Sequence, residues 1–263
     1  MDLLPFSLEK LYFDCIDEHG NCFILYWADL RISFLHLVYS GSIYSNADGV
    51  SVERSSFKSL PRPTVADEML FQNDRLHING AWRRIDAPIS ILLYTDAHGR
   101  EVFWNCHHPK TRTTIEYDNK AYRGMGYAET LSLPVKPWQL PIDELRWGRF
   151  LSEQHTIVWI HWKGSNPVNH IVCNGIMYDD AVFEEDRILF DRGTSVLRFH
   201  NKTVVRQGKL SHLLVKMPWL KVIFHSRILN TIEVKFKAST SLSRGSDTLD
   251  TGWSLFEVVT WAK

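Results

Sequence analysis

Three carboxylates on strand-like segments are the residues of this chain best placed to do chemistry. In Tyr127-Ala-Glu-Thr-Leu-Ser132 a period of two puts Tyr127, Glu129 and Leu131 on one face and Ala128, Thr130 and Ser132 on the other. A carboxyl group beside an aromatic ring and a leucine is expensive to bury charged, and burial raises its pKa towards that of a usable general acid. Glu129, with Tyr127 beside it, is therefore the first catalytic candidate. Asp14 shares a face with Tyr12 and Ile16 and is a candidate second acid. Glu257, in line with Leu255 and Val259, is the C-terminal counterpart of Glu129. A buried acid can protonate an alkene, and the π faces of Trp and Tyr stabilise the positive charge that develops. Tyr12, Trp104 and Trp147, with His108, His161 and Glu257, are the candidate substrate-binding residues.

Each candidate has a structural rival. Arg146 and Arg149 follow Glu129 in the chain, and a buried ion pair with either gives the same sequence pattern as a tuned acid. Asp14 can accept strand-end or arginine hydrogen bonds, and Glu257 can serve an internal salt bridge. His161, inside Trp159-Ile-His-Trp162, fits a hydrogen-bonded core histidine as well as a base. Simple alternation puts Cys106 and His108 on one face and His107 on the other. No second Cys/His pair follows at zinc-like spacing, so no metal site is expected. No Walker A loop, G-x-S-x-G elbow or H-E-x-x-H occurs, and Gly124-Met-Gly126 lacks the third glycine and the helix of a dinucleotide fingerprint. No cofactor is expected.

Composition narrows the partners. Lys plus Arg and Asp plus Glu number 30 each, so no net field draws the protein to nucleic acid or an anionic membrane. Ten Trp, nine Tyr and fourteen Phe suit strands and large apolar pockets, so a hydrophobic small molecule is the expected ligand. The run from Lys216 to Lys221 allows at most peripheral membrane contact, although a solvated turn explains it equally. Nothing in the sequence specifies an oligomeric state. The first ten residues lack the basic and apolar regions of a secretory signal, and no run of about 18 apolar residues occurs. The four scattered cysteines form no C-x-x-C pair. Free thiols and a cytoplasmic location are expected, with a Cys15–Cys22 disulfide as the oxidising-compartment alternative.

The elements that must position these residues read as short strands separated by turns. Leu11–Ile16 and Cys22–Trp27 flank the turn residues Asp17–Asn21. Hairpins are also expected around Gln72–Asp74 and Asp96–Gly99, the second of these Met69–Phe71 with Arg75–Ile78 and the third Ile89–Tyr94 with Glu101–Cys106. Thr111–Tyr117 and Arg123–Leu133 follow as separate strands. Pro134, Pro137 and Pro141 then interrupt regular structure, and strands resume near Arg146. Leu210–Met217, Leu220–Phe224, Thr231–Ser239 and Trp253–Trp261 read as strands, and Ser239–Thr251 as a loop. The one helical turn expected is Ile142–Leu145. Some eighteen strands with no βαβ alternation make the class all-β, sandwich or barrel, with two halves of similar strand density.

Three places together bring a family to mind. Glu9-Lys-Leu-Tyr-Phe-Asp14 followed by Asp17-Glu-His-Gly20, Trp104-Asn-Cys-His-His-Pro109, and Gly124-Met-Gly-Tyr-Ala-Glu129 with Arg146-Trp-Gly-Arg149 resemble, in order and spacing, the carotenoid 1,2-hydratase and AttH-like group. The resemblance covers mostly residues 9–150. It implies two consecutive lipocalin-like antiparallel barrels or strongly bent sheets, at 1–135 and 136–263. It also implies cofactor-independent hydration or cyclisation of a terpenoid, polyene or polyketide-like molecule, with Glu129 as the acid. The hydratases carry a Tyr-His-Asp run where this chain has Tyr127-Ala-Glu129, so the acid is longer by a methylene. A non-catalytic lipocalin-like carrier of a hydrophobic ligand and an aromatic-faced carbohydrate-binding sandwich are the alternatives.

Overall fold

The structure, a computed structural model, describes residues 6–211 and 224–262. The run from Lys216 to Lys221, and most of the two strands expected between 210 and 224, lie outside the described residues. The chain divides into two compact units, Met1–Lys136 and Pro137–Lys263. Each is built on one curled antiparallel sheet of nine strands, so the fold is all-β and lipocalin-like.

The first unit contains β1 (Phe6–Asp17), β2 (Cys22–Ile32), β3 (Leu35–Ser45), β4 (Ser51–Ser56), β5 (Glu68–Asn73), β6 (Ile78–Arg84), β7 (Ile89–Thr95), β8 (Glu101–Tyr117) and β9 (Lys120–Leu133). Their order is β4-β3-β2-β1-β9-β8-β6-β5, with β7 also on β8. The first and last strands are thus neighbours at the centre. Alternation along β1 sends Leu11, Phe13 and Cys15 to one side, where they join Phe23, Leu25, Trp27, Phe71, Trp82 and Ile115 in a core. The Trp82 indole nitrogen donates to the Asp14 carbonyl at 2.7 Å, tying the far side of this core to β1.

The second unit contains β10 (Glu144–Leu151), β11 (Thr156–Lys163), β12 (Val168–Cys173), β13 (Ile176–Tyr178), β14 (Val182–Phe183), β15 (Arg187–Phe190), β16 (Ser195–Lys209), β17 (Ile232–Arg244) and β18 (Asp247–Thr260). Their order is β13-β12-β11-β10-β18-β17-β16-β15-β14. Here too the first and last strands lie side by side. Phe150, Ile157, Trp159, Ile188, Leu197, Ala238, Leu242 and Phe256 form its core.

Several expected boundaries move, each for a local reason. Arg75–His77 belongs to the turn after β5, where the Asn73 side chain accepts from the Arg75 amide and His77 takes a positive φ of 52°. Thr111–Tyr117 is no separate strand: β8 runs through Pro109, with register shifts between Cys106 and Thr111 that absorb the proline. Ser239–Thr251 is a tight hairpin rather than a loop: β17 and β18 stay paired from Ser239–Trp253 to Arg244–Asp247, and Gly245 supplies the turn at φ 60°. Ile142–Leu145 is not helical, since Glu144 and Leu145 already pair with β11 and β18. Helical turns occur instead at Pro137–Gln139 and at α1 (Ser226–Leu229), which the His225 side chain caps. Cys15 lies opposite Phe23 and Cys22 opposite Ile16, and all four cysteines are thiols rather than disulfides.

Candidate functional site

Directly opposed residues in an antiparallel ladder share a face, and the central ladder of the first sheet uses this to gather the candidate acids. Glu129 lies opposite Tyr12 on β1 and opposite Cys106 on β8. Tyr127 lies opposite Asp14, and Trp104 opposite Leu131. Tyr26 stands opposite Tyr12 on the next strand. Glu129, Tyr127, Asp14, Tyr12, Trp104 and Cys106 therefore occupy one face, the one turned away from the Leu11–Phe13–Cys15 side of the sheet. All six are buried; Glu129 is 8% exposed and Asp14 0%.

Two neutral donors converge on one oxygen of the acid. The Tyr127 hydroxyl donates to Glu129 Oε2 at 2.6 Å, and the Trp104 indole nitrogen donates to the same atom. Edge-to-face contacts continue the aromatic surround, with Tyr12 to Tyr127 at 6.1 Å and Tyr12 to Tyr26 at 5.6 Å between ring centroids. Burial pushes the Tyr127 phenol well above its ordinary range, and the neighbouring Cys106 and Glu129 add to the effect. Burial likewise pushes the Cys106 thiol up, against a hydrogen bond with Tyr127 and with Glu129 and Asp14 reinforcing it. Both groups are thus neutral at physiological pH. Tyr127 is a standing proton donor to Glu129, and Cys106 is a packing thiol rather than a thiolate nucleophile.

The other four expected residues lie elsewhere. The register shift between Cys106 and His108 puts His108 opposite Ala128, so it does not share a face with Cys106 as simple alternation implies. His108 Nε2 meets the Asp67 carbonyl at 3.2 Å, and His107 Nε2 meets Thr130 Oγ1 at 2.9 Å. Trp147 and Glu257 lie opposite one another on β10 and β18 of the second unit. His161 lies opposite Arg146, on the other face of β10, and stacks on Phe183 at 4.5 Å.

Glu257 is held by charge. Lys235, 3% exposed, pairs with Glu257 and with Glu233 at 2.9 Å, and Arg206 pairs with Glu233 in turn. This chain of buried ions was missed in the sequence because Glu233-Val-Lys-Phe-Lys237 alternates like a strand with a solvated face. Arg146 pairs with Glu144 at 2.8 Å and donates to the carbonyls of Phe183 and Glu184. Arg149 is wholly buried and donates to the Trp253 carbonyl at 3.0 Å. Cys106 and Tyr26 were overlooked as neighbours of the acid; counting the same parity outward along β8 and β2 would have found both. Among the described residues, no group of three or more His, Cys, Asp and Glu side chains is arranged to hold a metal ion.

No model of a known protein family matches the chain, and no curated protein matches it in sequence. Solved structures do share its fold. Kievitone hydratase from Nectria haematococca superposes with a TM-score of 0.59 at 8% identity, over 97% of this chain and 89% of that one. CghA, solved with Sch210972, gives 0.54 at 11% identity over 97% and 89%. The AttH-like protein of Nitrosomonas europaea gives 0.54 at 7% identity over 98% and 93%. At these identities the likeness establishes the lipocalin-like fold, and that fold is one on which a hydratase is built.

Proposed function

We propose that this protein is a cofactor-independent enzyme that acts on a hydrophobic terpenoid, polyene or polyketide-like small molecule, with Glu129 as its acid. The observation that carries this reading is the buried Glu129 carboxyl, held by Tyr127 and Trp104 through one oxygen and surrounded by aromatic rings. The kievitone hydratase fold supports it, since that protein is a hydratase.

In this reading Tyr127 and Trp104 fix Oε2 as an acceptor, so the acid form of Glu129 carries its proton on Oε1. Transfer of that proton to a substrate double bond leaves a carbocation, which the faces of Tyr12, Tyr127 and Trp104 stabilise. Water, or a second double bond of the same substrate, then captures the cation. A proton lost from the product returns to the Glu129 carboxylate and closes the cycle as hydration, isomerisation or cyclisation. Asp14, opposite Tyr127, is the second acid available for that return.

The test begins with native mass spectrometry of the purified protein and extraction of any bound small molecule, followed by turnover assays on the class recovered. Glu129→Gln keeps both acceptor contacts but cannot deliver a proton. It is expected to lower turnover by about 10²- to 10⁴-fold with ligand affinity near normal. Unchanged turnover would remove Glu129 from the chemistry. A ligand that is bound but never altered would make the protein a carrier instead.

A further inference from the structure

The second unit holds a cavity that the Glu129 cluster does not use. On the core side of its sheet, Gly148 stands between Trp159 on β11 and Phe256 on β18. A Cβ at 148 would collide with Phe256 Cβ and the Trp159 ring, so only glycine lets these two side chains close over the central strand. Phe150, Ile157, Leu197 and Ala238 fill the space towards one end of the sheet. Towards the other end Phe183, Phe199, Phe236, Val234 and Val258 leave a cavity of about 410 Å³. That volume lies within the range of small-ligand sites, roughly 300–1,000 Å³.

The walls have a definite shape. Phe199 stacks on Phe256 with centroids 4.6 Å apart and planes 25° apart, and Phe236 stacks on the same ring at 5.2 Å and 26°. Phe183 is backed by the near-parallel His161 ring, whose Nδ1 is buried without a hydrogen-bond partner. Near-parallel faces of this kind suit a flat guest. The rim carries Arg146, Lys202, Glu184 and Glu185. Arg146 is committed to Glu144 and to two carbonyls. Lys202 is held loosely: its ammonium lies 5.0 Å from the Phe236 centroid and 3.8 Å from Glu185, whose side chain is 94% exposed. A pair that open contributes little, so Lys202 is the cation available to a ligand at the mouth.

We infer that this cavity is a second binding site, for a flat aromatic or conjugated molecule bearing one acidic oxygen group. The body of the ligand stacks against Phe199 and Phe236, and its acidic group meets Lys202 at the rim. All of the lining residues belong to the second unit, so the site stands or falls independently of the chemistry proposed for Glu129.

Two fluorescent probes test it on the full chain: 8-anilinonaphthalene-1-sulfonate, which is flat and anionic, and N-phenyl-1-naphthylamine, its uncharged parent. Both are expected to bind one-to-one. Val258→Trp fills the cavity and Phe236→Ala removes one stacking face; each should weaken both probes about tenfold, with melting curves confirming that the variants fold. Lys202→Gln should weaken the sulfonate about three- to fivefold and leave the naphthylamine unchanged. Glu129→Gln should affect neither. Failure of both probes to bind, or binding that survives both cavity variants in folded protein, overturns the site. Equal loss of both probes in Lys202→Gln, or no loss of either, overturns the acidic-group assignment, and loss of binding in Glu129→Gln would move the probes to the first unit.

Discussion

The two units put the same strand arrangement to different electrostatic use. In both, the first strand pairs with the last, β1 with β9 and β10 with β18. Aligned on their acids, Glu129 opposite Tyr12 corresponds to Glu257 opposite Trp147. Asp14 then corresponds to Arg149, Cys106 to Lys235 and Trp104 to Glu233, by the same ladder positions. Glu129 accepts from the neutral donors Trp104 and Tyr127, and Glu257 pairs with the Lys235 ammonium. Neutral donors orient a carboxyl group at a fixed oxygen. A buried cation compensates the charge and makes the acid part of the framework. Parity alone made the two acids equivalent, and the Lys235 ammonium marks Glu257 as part of the framework.

Breaking the ionic chain should produce the largest effect. Lys235→Met leaves Glu257 buried without its cation and is expected to cost about 3–5 kcal/mol in urea unfolding of the second unit. Glu129→Gln, which retains both acceptor contacts, is expected to cost no more than about 1 kcal/mol. Comparable losses in the two variants would give Glu129 the same framework role as Glu257 and would sink the catalytic assignment proposed for it.

The core sides differ as well. Phe13, wholly buried and packed on Trp82 at 4.9 Å and Phe71 at 5.7 Å, occupies the ladder position that Gly148 holds in the second unit. The first core is filled from its central strand, whereas the second is filled across it by Trp159 and Phe256. Phe13→Ala should therefore cost about 3–5 kcal/mol through a cavity. Gly148→Ala should cost about 1–3 kcal/mol through overpacking. Equilibrium denaturation checks both, and a neutral Gly148→Ala would show that Trp159 and Phe256 yield easily.

Acid should act on the two units alike. His107 and His108 in the first, and His161 and His170 in the second, are all held below the ordinary histidine value of 6.5, in each case chiefly by burial. The unfolded chain then takes up protons before the folded one does. Stability is complete above about pH 6.5 and falls as pH drops through that value towards the lowered folded-state values. Thermal melting between pH 7.5 and 5.5 should show a falling midpoint in both units, and an unchanged midpoint would mean these imidazoles are solvated.

Much of this was legible in the sequence, because strand parity is a local property. The period of two placed Glu129 with Tyr127, and Asp14 with Tyr12, from side-chain order alone. Parity fails at bulges, which is why alternation puts His108 on the face of Cys106: the extra residue that β8 accommodates between the two leaves no mark in the hydrophobic pattern. It is also silent about partners. Nothing local distinguishes Glu129 from Glu257, since Trp104 is 25 residues away from one and Lys235 is 22 residues away from the other. Strand pairing alone brings them together. The polar hairpin at Ser239–Thr251 was lost for the opposite reason, because solvated strands carry loop-like composition.

The smallest predicted effect isolates the bond that separates the two acids. Tyr127 is 0% exposed, so Tyr127→Phe preserves the packing and removes only the hydroxyl that donates to Glu129. A double-mutant cycle with Glu129→Gln should give a coupling of about 0.5–1.5 kcal/mol, the range of a single buried hydrogen bond. The cognate pair Leu255 and Glu257 has no such hydroxyl and should give coupling near zero under Leu255→Met and Glu257→Gln. Zero coupling at Tyr127 as well would mean that its hydroxyl is held by Cys106 rather than by the acid. Trp104 would then be the donor that orients Glu129.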